Sequence, residues 1–117
     1  MIIPSLWHRF SNAYGSDFNS ARGTETYIAT NASDNSKKAA RFIQDEVIKA
    51  FKDIDSSARD RGVKVNNFTV IYKTSMPSVL VEYGFYTNLE DLCVLRCYRD
   101  KLVDATMRGI EKYFQMK

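Results

Sequence analysis

The sequence of 117 residues predicts an α/β fold in which a central sheet, mostly parallel or mixed, is flanked by helices. The apolar run Val79–Val81 is rich in β-branched residues and bounded by turn signals, which is typical of a strand buried on both faces. From Ala39 to Ile54, apolar residues recur at spacings of three and four, which predicts an amphipathic helix of about five turns. Strands separated by helices indicate a layered α/β sheet.

Length and composition indicate one domain over residues 1–117, with 44% hydrophobic and 26% charged residues, as in ordinary globular proteins. The formal net charge of +3 is mild and no basic run accompanies it, so we expect no nucleic-acid partner. No apolar stretch approaches the length of a membrane span, so we expect no membrane partner. Met1–Pro4 is too short for a signal peptide, and work outside the cell would therefore need another release route or a signal located upstream.

The first half of the chain is predicted to hold an irregular start with a short strand, then a second strand and a long helix. Residues 1–22 form an irregular start with room for a short strand at Met1–Leu6, since they are rich in polar and turn-forming residues. Side chains alternate in character along Gly23–Thr30, which predicts a half-exposed strand. Residues 33–36 then supply N-cap candidates for the long helix.

The second half is predicted to alternate between strands and helices after a polar loop at Asp55–Asn67. Phe68–Lys73 alternates and is interpreted as a strand, and the strand that contains Val79–Val81 follows it. Asn88 gives an N-cap signal for a short helix that ends near Leu95. The last helix begins at residue 99 or 100, and its core-facing residues recur at spacings near four: Leu102, Ala105, Gly109 or Ile110, and Tyr113.

One carboxylate, Glu82, ends the apolar run of the predicted central strand. A carboxylate at the C-terminal end of such a strand lies where open α/β sheets place their ligands. One interpretation is a structural glutamate, paired with a lysine or arginine or with backbone N–H groups. The other is a general base or acid at the rim of a cleft shared with residues 5–12. Its position alone does not choose between them.

The segment Met76–Asn88, MPSVLVEYGFYTN, resembles the MPA-VLVE-x-GF-x-(S/T)N motif of the zinc-dependent N-acetylmuramoyl-L-alanine amidases, the Amidase_3 family. The clostridial and phage endolysin branch is the most similar. Other stretches resemble the family's second half in the same order: Gly23–Tyr27 (G-x-E-x-(Y/F)), Ser36–Phe51 (a helix), Arg61–Lys64 (RGVK), Thr69–Thr74 and Tyr98–Phe114. The resemblance therefore implies the C-terminal portion of an amidase-type three-layer domain.

The resemblance also implies an activity. Enzymes of this family cleave the bond between N-acetylmuramic acid and L-alanine in peptidoglycan, so it implies a hydrolase that acts on the bacterial cell wall, outside the cell or after release at lysis. In the VE-x-GF motif, Glu82 matches the catalytic glutamate, which acts as general base and general acid toward a zinc-activated water.

Zinc-dependent amide hydrolysis needs three protein ligands and one open position. The resemblance implies two histidines and one glutamate, the first histidine in an early (D/P)-G-H-G motif and the glutamate in a following helical region. Neither motif occurs in these 117 residues, and a chain with one histidine cannot supply a two-histidine site. We therefore expect zinc to be absent from this chain or weakly bound.

The one histidine, His8, is open to two interpretations. A single histidine in a polar segment is ordinarily a surface residue. The family's strand motif S-(I/L)-H-x-N-A has its letters in order within residues 5–13, and this implies His8 as a zinc ligand and Asn12 as a substrate-binding residue. Trp7 and the inserted residues 9–11 change the spacing, which turns both side chains out of the family's register.

The two cysteines, Cys93 and Cys97, lie four residues apart in a predicted helix. This spacing places them on one face with poor geometry for a disulfide, so we expect two reduced, half-buried thiols. A metal-binding pair is the alternative, and no other cysteine or nearby histidine completes it.

Two functions of different classes follow. The first is a peptidoglycan amidase that uses Glu82. The second is a non-catalytic remnant that keeps the fold and binds cell-wall fragments or a partner chain. A nucleotide-binding domain is disfavoured because no glycine-rich phosphate loop follows any predicted strand.

Overall fold

The computed structural model describes residues 5–11, 18, 20–74 and 76–116. It confirms the α/β fold, with four strands and four helices among these residues. In chain order they are β1 (Ser5–Ser11), β2 (Thr24–Ile28), α1 (Asp34–Ile54), β3 (Asp60–Val65), α2 (Thr69–Tyr72), β4 (Ser78–Phe85), α3 (Leu89–Cys97) and α4 (Arg99–Gln115). Among the described helices, none is both long and apolar enough to span a membrane.

The four strands form one mixed sheet in the order β1-β4-β2-β3. Strand β4 runs parallel to β1 and antiparallel to β2, and β2 runs parallel to β3. All eight residues of β4 are buried, as expected for a strand with neighbours on both edges and layers on both faces. Pro77 comes immediately before this strand, where its missing N–H interrupts no ladder bond.

One face of the sheet carries the main core. Val79, Val81 and Tyr83 of β4 belong to the same buried cluster as apolar residues of α1, α3 and α4. Leu80 packs instead with Ala29 and Ile71. Because side chains alternate along a strand, Glu82 shares the face of Leu80 and lies opposite the main helical layer.

Helices α1 and α4 pack closely against each other. The hydroxyl of Ser33 accepts a hydrogen bond from the Ser36 N–H at 3.1 Å, which confirms the predicted N-cap of α1. At Gly109 of α4, an added Cβ would lie 2.6 Å from the Ile43 Cα. The α4 backbone can approach α1 this closely only because residue 109 has no side chain.

Four segments differ from the sequence-based predictions. Residues 60–65 of the predicted polar loop form β3, an edge strand whose mostly exposed side chains leave no apolar run in the sequence. Phe68–Lys73 contains the short helix α2 and no strand, because both edges of β4 are already occupied by β1 and β2. Strand β2 is almost fully buried rather than half exposed. The irregular start contains β1 at residues 5–11, longer than the short strand that we expected there.

Candidate active site around Glu82

Glu82 lies in the central strand of the sheet, as predicted, with 1% of its surface exposed. In the strand register it is level with Arg9 of β1 and with Glu25 of β2. Its backbone carbonyl accepts a hydrogen bond from the Thr24 hydroxyl at 3.0 Å. Strand β4 continues to Phe85, so Glu82 lies three residues before the strand end rather than at it.

A second buried glutamate, Glu25, stands directly across the β2–β4 ladder from Glu82 and is 2% exposed. Its carboxylate accepts hydrogen bonds from the Tyr27 hydroxyl at 2.6 Å and from Arg61 Nε at 3.1 Å. Glu25 is not among the functional residues predicted from the sequence. Its place in the G-x-E-x-(Y/F) segment and the period-two alternation of β2 with Tyr27 were the signals that could have found it.

The carboxyl end of β4 is fixed by Asp91 of α3, which is completely buried. One of its oxygens accepts hydrogen bonds from the backbone N–H groups of Gly23 at 2.9 Å and Phe85 at 3.2 Å. The predicted cap residue Asn88 begins α3 and accepts from the Asp91 N–H at 3.0 Å. These contacts join the start of β2, the end of β4 and the first turn of α3.

Arg22 completes this junction and is 6% exposed. It bonds Asp91 at 2.9 Å and Asp55 at 3.0 Å, and it also contacts Glu90. Burial by itself lowers the pKa of Arg22, but the hydrogen bond to Asp55 and the charges of Asp91 and Asp55 raise it above its ordinary value. Hydrogen bonds from Ser57 first, and then from Arg22, lower the pKa of Asp55.

A groove of about 540 Å³ opens at this end of the sheet, and its lining includes Arg22, Arg59 and Asn88. Arg22 precedes β2 and Asn88 follows β4, so the groove lies beside the carboxyl end of the central strand. Open α/β sheets bind their ligands in this position. The predicted cleft between Glu82 and residues 5–12 stays a prediction, because the structure does not describe the side chains of those residues.

The other two predicted site residues are placed only in part. His8 belongs to β1, where its backbone is level with Val81, and its side chain lies outside the described residues. Asn12 also lies outside the described residues. The roles predicted for both residues therefore remain predictions.

The described residues do not fit a zinc site. Within them, no three histidine, cysteine, aspartate or glutamate side chains come together as metal ligands. The whole sequence contains one histidine. Cys93 and Cys97 are free, as expected, but both are exposed rather than half buried, because that side of α3 faces solvent.

Comparison with known proteins identifies close relatives. The profile of the N-acetylmuramoyl-L-alanine amidase family, Amidase_3, matches residues 12–112, and His8 precedes the matched part. The chain is 41% identical over 98 residues to the uncharacterized protein YqiI of Bacillus subtilis, with 81% of this chain and 45% of YqiI covered. It is 38% identical over 107 residues to the B. subtilis N-acetylmuramoyl-L-alanine amidase LytC, with 89% of this chain and 21% of LytC covered.

Solved structures share the same fold. The crystal structure of N-acetylmuramoyl-L-alanine amidase from Clostridium difficile 630 superposes with a TM-score of 0.82 at 27% identity. The aligned part covers 96% of this chain and 57% of that structure. The chain thus spans less than half the length of YqiI and LytC and little more than half of the chain in the solved C. difficile amidase structure.

Proposed function

The chain belongs to the Amidase_3 family of N-acetylmuramoyl-L-alanine amidases, and from this premise we propose that Glu82 serves peptidoglycan hydrolysis as general base and general acid. The bond cleaved joins N-acetylmuramic acid to L-alanine, and the place of action is the bacterial cell wall. The observation that carries the proposal is a carboxylate, 1% exposed, in the central strand of an amidase fold.

The proton transfers follow from the chemistry of an amide. Water must lose a proton to attack the carbonyl carbon, and the leaving nitrogen of L-alanine must gain one before the C–N bond breaks. A single carboxylate can accept the first proton and donate it to the nitrogen, so its charge is restored after each turnover. Burial in the central strand supports this role, because a rigid strand holds the carboxylate in a fixed place.

Zinc is proposed only for an enzyme that has further ligands, since the described residues do not fit a zinc site. By resemblance, two of the three ligands belong to a G-H-G motif and to a helical region that these 117 residues lack. For the chain by itself we therefore propose negligible hydrolysis of peptidoglycan. His8 as a ligand and Asn12 as a substrate contact stay secondary proposals. The family match begins at residue 12, so it includes Asn12 and leaves His8 outside.

The alternative function is a non-catalytic chain that keeps the amidase fold and binds cell-wall fragments or a partner chain. The specific observation in its favour is the single histidine of the sequence. A binding role needs neither a metal nor proton transfer, so it would survive the replacement of Glu82 by glutamine.

The test joins residues 12–117 to the preceding amidase segment of LytC, whose 38% identity over 107 residues makes it a suitable donor. We call this protein the joined enzyme. Purified peptidoglycan is incubated with it, and two kinds of product are counted: new amino groups on L-alanine, which report amide cleavage, and new reducing sugar ends, which report glycosidic cleavage. We expect amino groups only, and we expect a zinc chelator to abolish their release.

Two controls make the result decisive. The 117-residue chain, assayed in the same way with added zinc, is expected to release no amino groups. Release of reducing ends, or no product from a joined enzyme that is folded and holds zinc, would contradict the amidase proposal and favour the binding role. Chelator-sensitive release by the 117-residue chain would show that it builds a metal site from its own residues.

A further inference from the structure

Two segments of the chain, Gly23–Tyr27 and Arg61–Lys64, have no part in the proton transfers proposed above. The first contains Glu25, and each segment supplies one side chain that bonds to it. Glu25 and Glu82 are directly opposed in the antiparallel pairing of β2 and β4. Directly opposed residues have Cβ atoms about 4.5–5.5 Å apart on the same face of the sheet. Two buried carboxylates so close repel each other, so the fold must hold this pair with specific contacts.

Glu25 is held at both of its oxygens. Oε1 accepts from the Tyr27 hydroxyl at 2.6 Å, and Oε2 accepts from Arg61 Nε at 3.1 Å. Tyr27 itself packs edge-to-face on Phe68 with ring centroids 5.0 Å apart, which limits where its hydroxyl can lie. A carboxylate bound at both oxygens cannot rotate freely, so its negative charge stays in one place.

A bulge in β3 directs Arg61 at Glu25. Thr24 pairs with Asp60 and Thr26 pairs with Val63, so one residue of β2, Glu25, faces two residues of β3. Such bulges re-aim a side chain and often lie next to active sites. The second of the two is Gly62, with φ of 75°, a conformation that favours glycine, and its N–H donates to Asp60 at 2.8 Å.

Gly23 leaves the space through which Arg61 reaches Glu25. A Cβ at residue 23 would lie 2.7 Å from the Cγ and Cδ atoms of Arg61, and φ there is 126°. The guanidinium carbon of Arg61 lies 5.2 Å from the ring centroid of Phe85, three residues after Glu82 on β4. Arg61 thus extends from β3 past the start of β2 to the end of β4.

We infer that Glu25 is a positioning residue for Glu82: Tyr27 and Arg61 fix its negative charge, and that charge directs the Glu82 carboxylate into its working orientation. The inference rests on the proposed function. The inference gives both glycine-containing segments one role. Gly23 leaves room for the side chain of Arg61, and Gly62 lies in the bulge that orients Arg61 toward Glu25. The substitution Glu25→Gln keeps the size of the side chain and removes its charge, so Glu82 loses a charged neighbour across the β2–β4 ladder.

In the joined enzyme, Glu25→Gln is expected to lower kcat by about 10- to 100-fold, because small misplacements of a catalytic group have effects of that size. KM is expected to stay within about twofold, since ground-state binding is unchanged. Arg61→Ala is expected to lose kcat similarly and to regain part of it with added guanidinium but not with urea. Arg61 is 38% exposed, so its removal leaves an opening that a free cation can enter.

The matched control is Glu46→Gln. Glu46 is also buried and also held by two basic side chains, Arg108 at 3.3 Å and Lys112 at 3.0 Å, but it lies between α1 and α4. Its substitution should leave kcat unchanged. If the joined enzyme hydrolyses peptidoglycan and depends on Glu82, but Glu25→Gln keeps full kcat, the positioning role is overturned while the proposed function stands.

A second readout needs no turnover. In the 117-residue chain labelled with ¹³C, the carboxyl resonance of Glu82 is identified by its disappearance in Glu82→Gln. We expect that resonance to move in both Glu25→Gln and Arg61→Ala and to stay in place in Glu46→Gln. If the Glu82 resonance does not move in Glu25→Gln and Arg61→Ala, the positioning role is overturned, whether or not the joined enzyme is active.

Discussion

Replacing Arg22 by methionine should be the most damaging single change at the carboxyl edge of the sheet. Arg22 bonds Asp91 at 2.9 Å, and both residues are buried, with side-chain exposures of 6% and 0%. Removing one partner of a buried ion pair leaves the other charge uncompensated, which costs about 3–5 kcal/mol. The contacts to Asp55 and Glu90, whose side chains are 24% and 62% exposed, should add little, because water screens such pairs.

Urea denaturation followed by circular dichroism gives the free energy of unfolding for this comparison. Arg41→Met is the matched control, because Arg41 pairs with Asp45 at 3.0 Å on the exposed face of α1, with side-chain exposures of 52% and 59%. Such a surface pair is worth about 0.3–0.5 kcal/mol. Asp91→Asn added to Arg22→Met should recover part of the loss, since it removes the stranded charge. Equal losses for Arg22→Met and Arg41→Met would refute the structural role assigned to Arg22.

Three further predictions concern the core and its titrating groups. Gly109→Ala should lower the free energy of unfolding by about 1–2 kcal/mol in urea denaturation. The added methyl group overpacks the backbone of Ile43, and this cost outweighs the better helix propensity of alanine. An unchanged or higher free energy of unfolding would show that α1 and α4 can move apart at no cost to admit the methyl group. Burial raises the pKa of Tyr83, so the folded state holds this proton more tightly and the free energy of unfolding should fall as pH rises above about 10. Tyr83→Phe should reduce that fall. An alkaline stability profile identical to that of the unsubstituted chain would contradict the role of Tyr83. The hydrogen bond from Lys112 lowers the pKa of Glu46, so the contribution of Glu46 to stability is present above its unfolded pKa of about 4.3 and is lost as pH falls. In Glu46→Gln, the free energy of unfolding should therefore decrease less in acid. A stability profile parallel to that of the unsubstituted chain would contradict this.

Most of the regular structure could be predicted from the sequence, because its signals are local. The spacing of apolar residues gave α1 and α4, the caps Ser33 and Asn88 gave helix starts, and the apolar run gave β4. The misinterpreted segments depended on information from elsewhere in the chain. Strand β3 has an exposed, polar face and is recognisable only through its pairing with β2. Residues 69–72 have strand-like side chains but form a helix, because no sheet edge beside β4 remains for them.

In the candidate site too, residues with a local sequence signal could be predicted, and residues that depend on tertiary pairing could not. Glu82 could be found because one carboxylate interrupts an apolar run, and that contrast is visible in the sequence itself. Glu25 could not be paired with it, because the register of two strands separated by more than fifty residues is a tertiary property. The contact between Arg61 and Glu25 could not be predicted either, because it depends on the bulge in β3 and on the space that Gly23 leaves for the Arg61 side chain.

The most direct test of the proposed catalytic role of Glu82 is the replacement of that residue by glutamine in the joined enzyme, with zinc content and turnover measured on the same preparation. Glutamine keeps the size of the side chain and cannot carry the proton, so bound zinc should stay at the level of the unsubstituted protein while the release of L-alanine amino groups falls by at least about 100-fold. Turnover within a few-fold of the unsubstituted protein, at equal zinc content, would contradict the assignment of Glu82 as general base and acid.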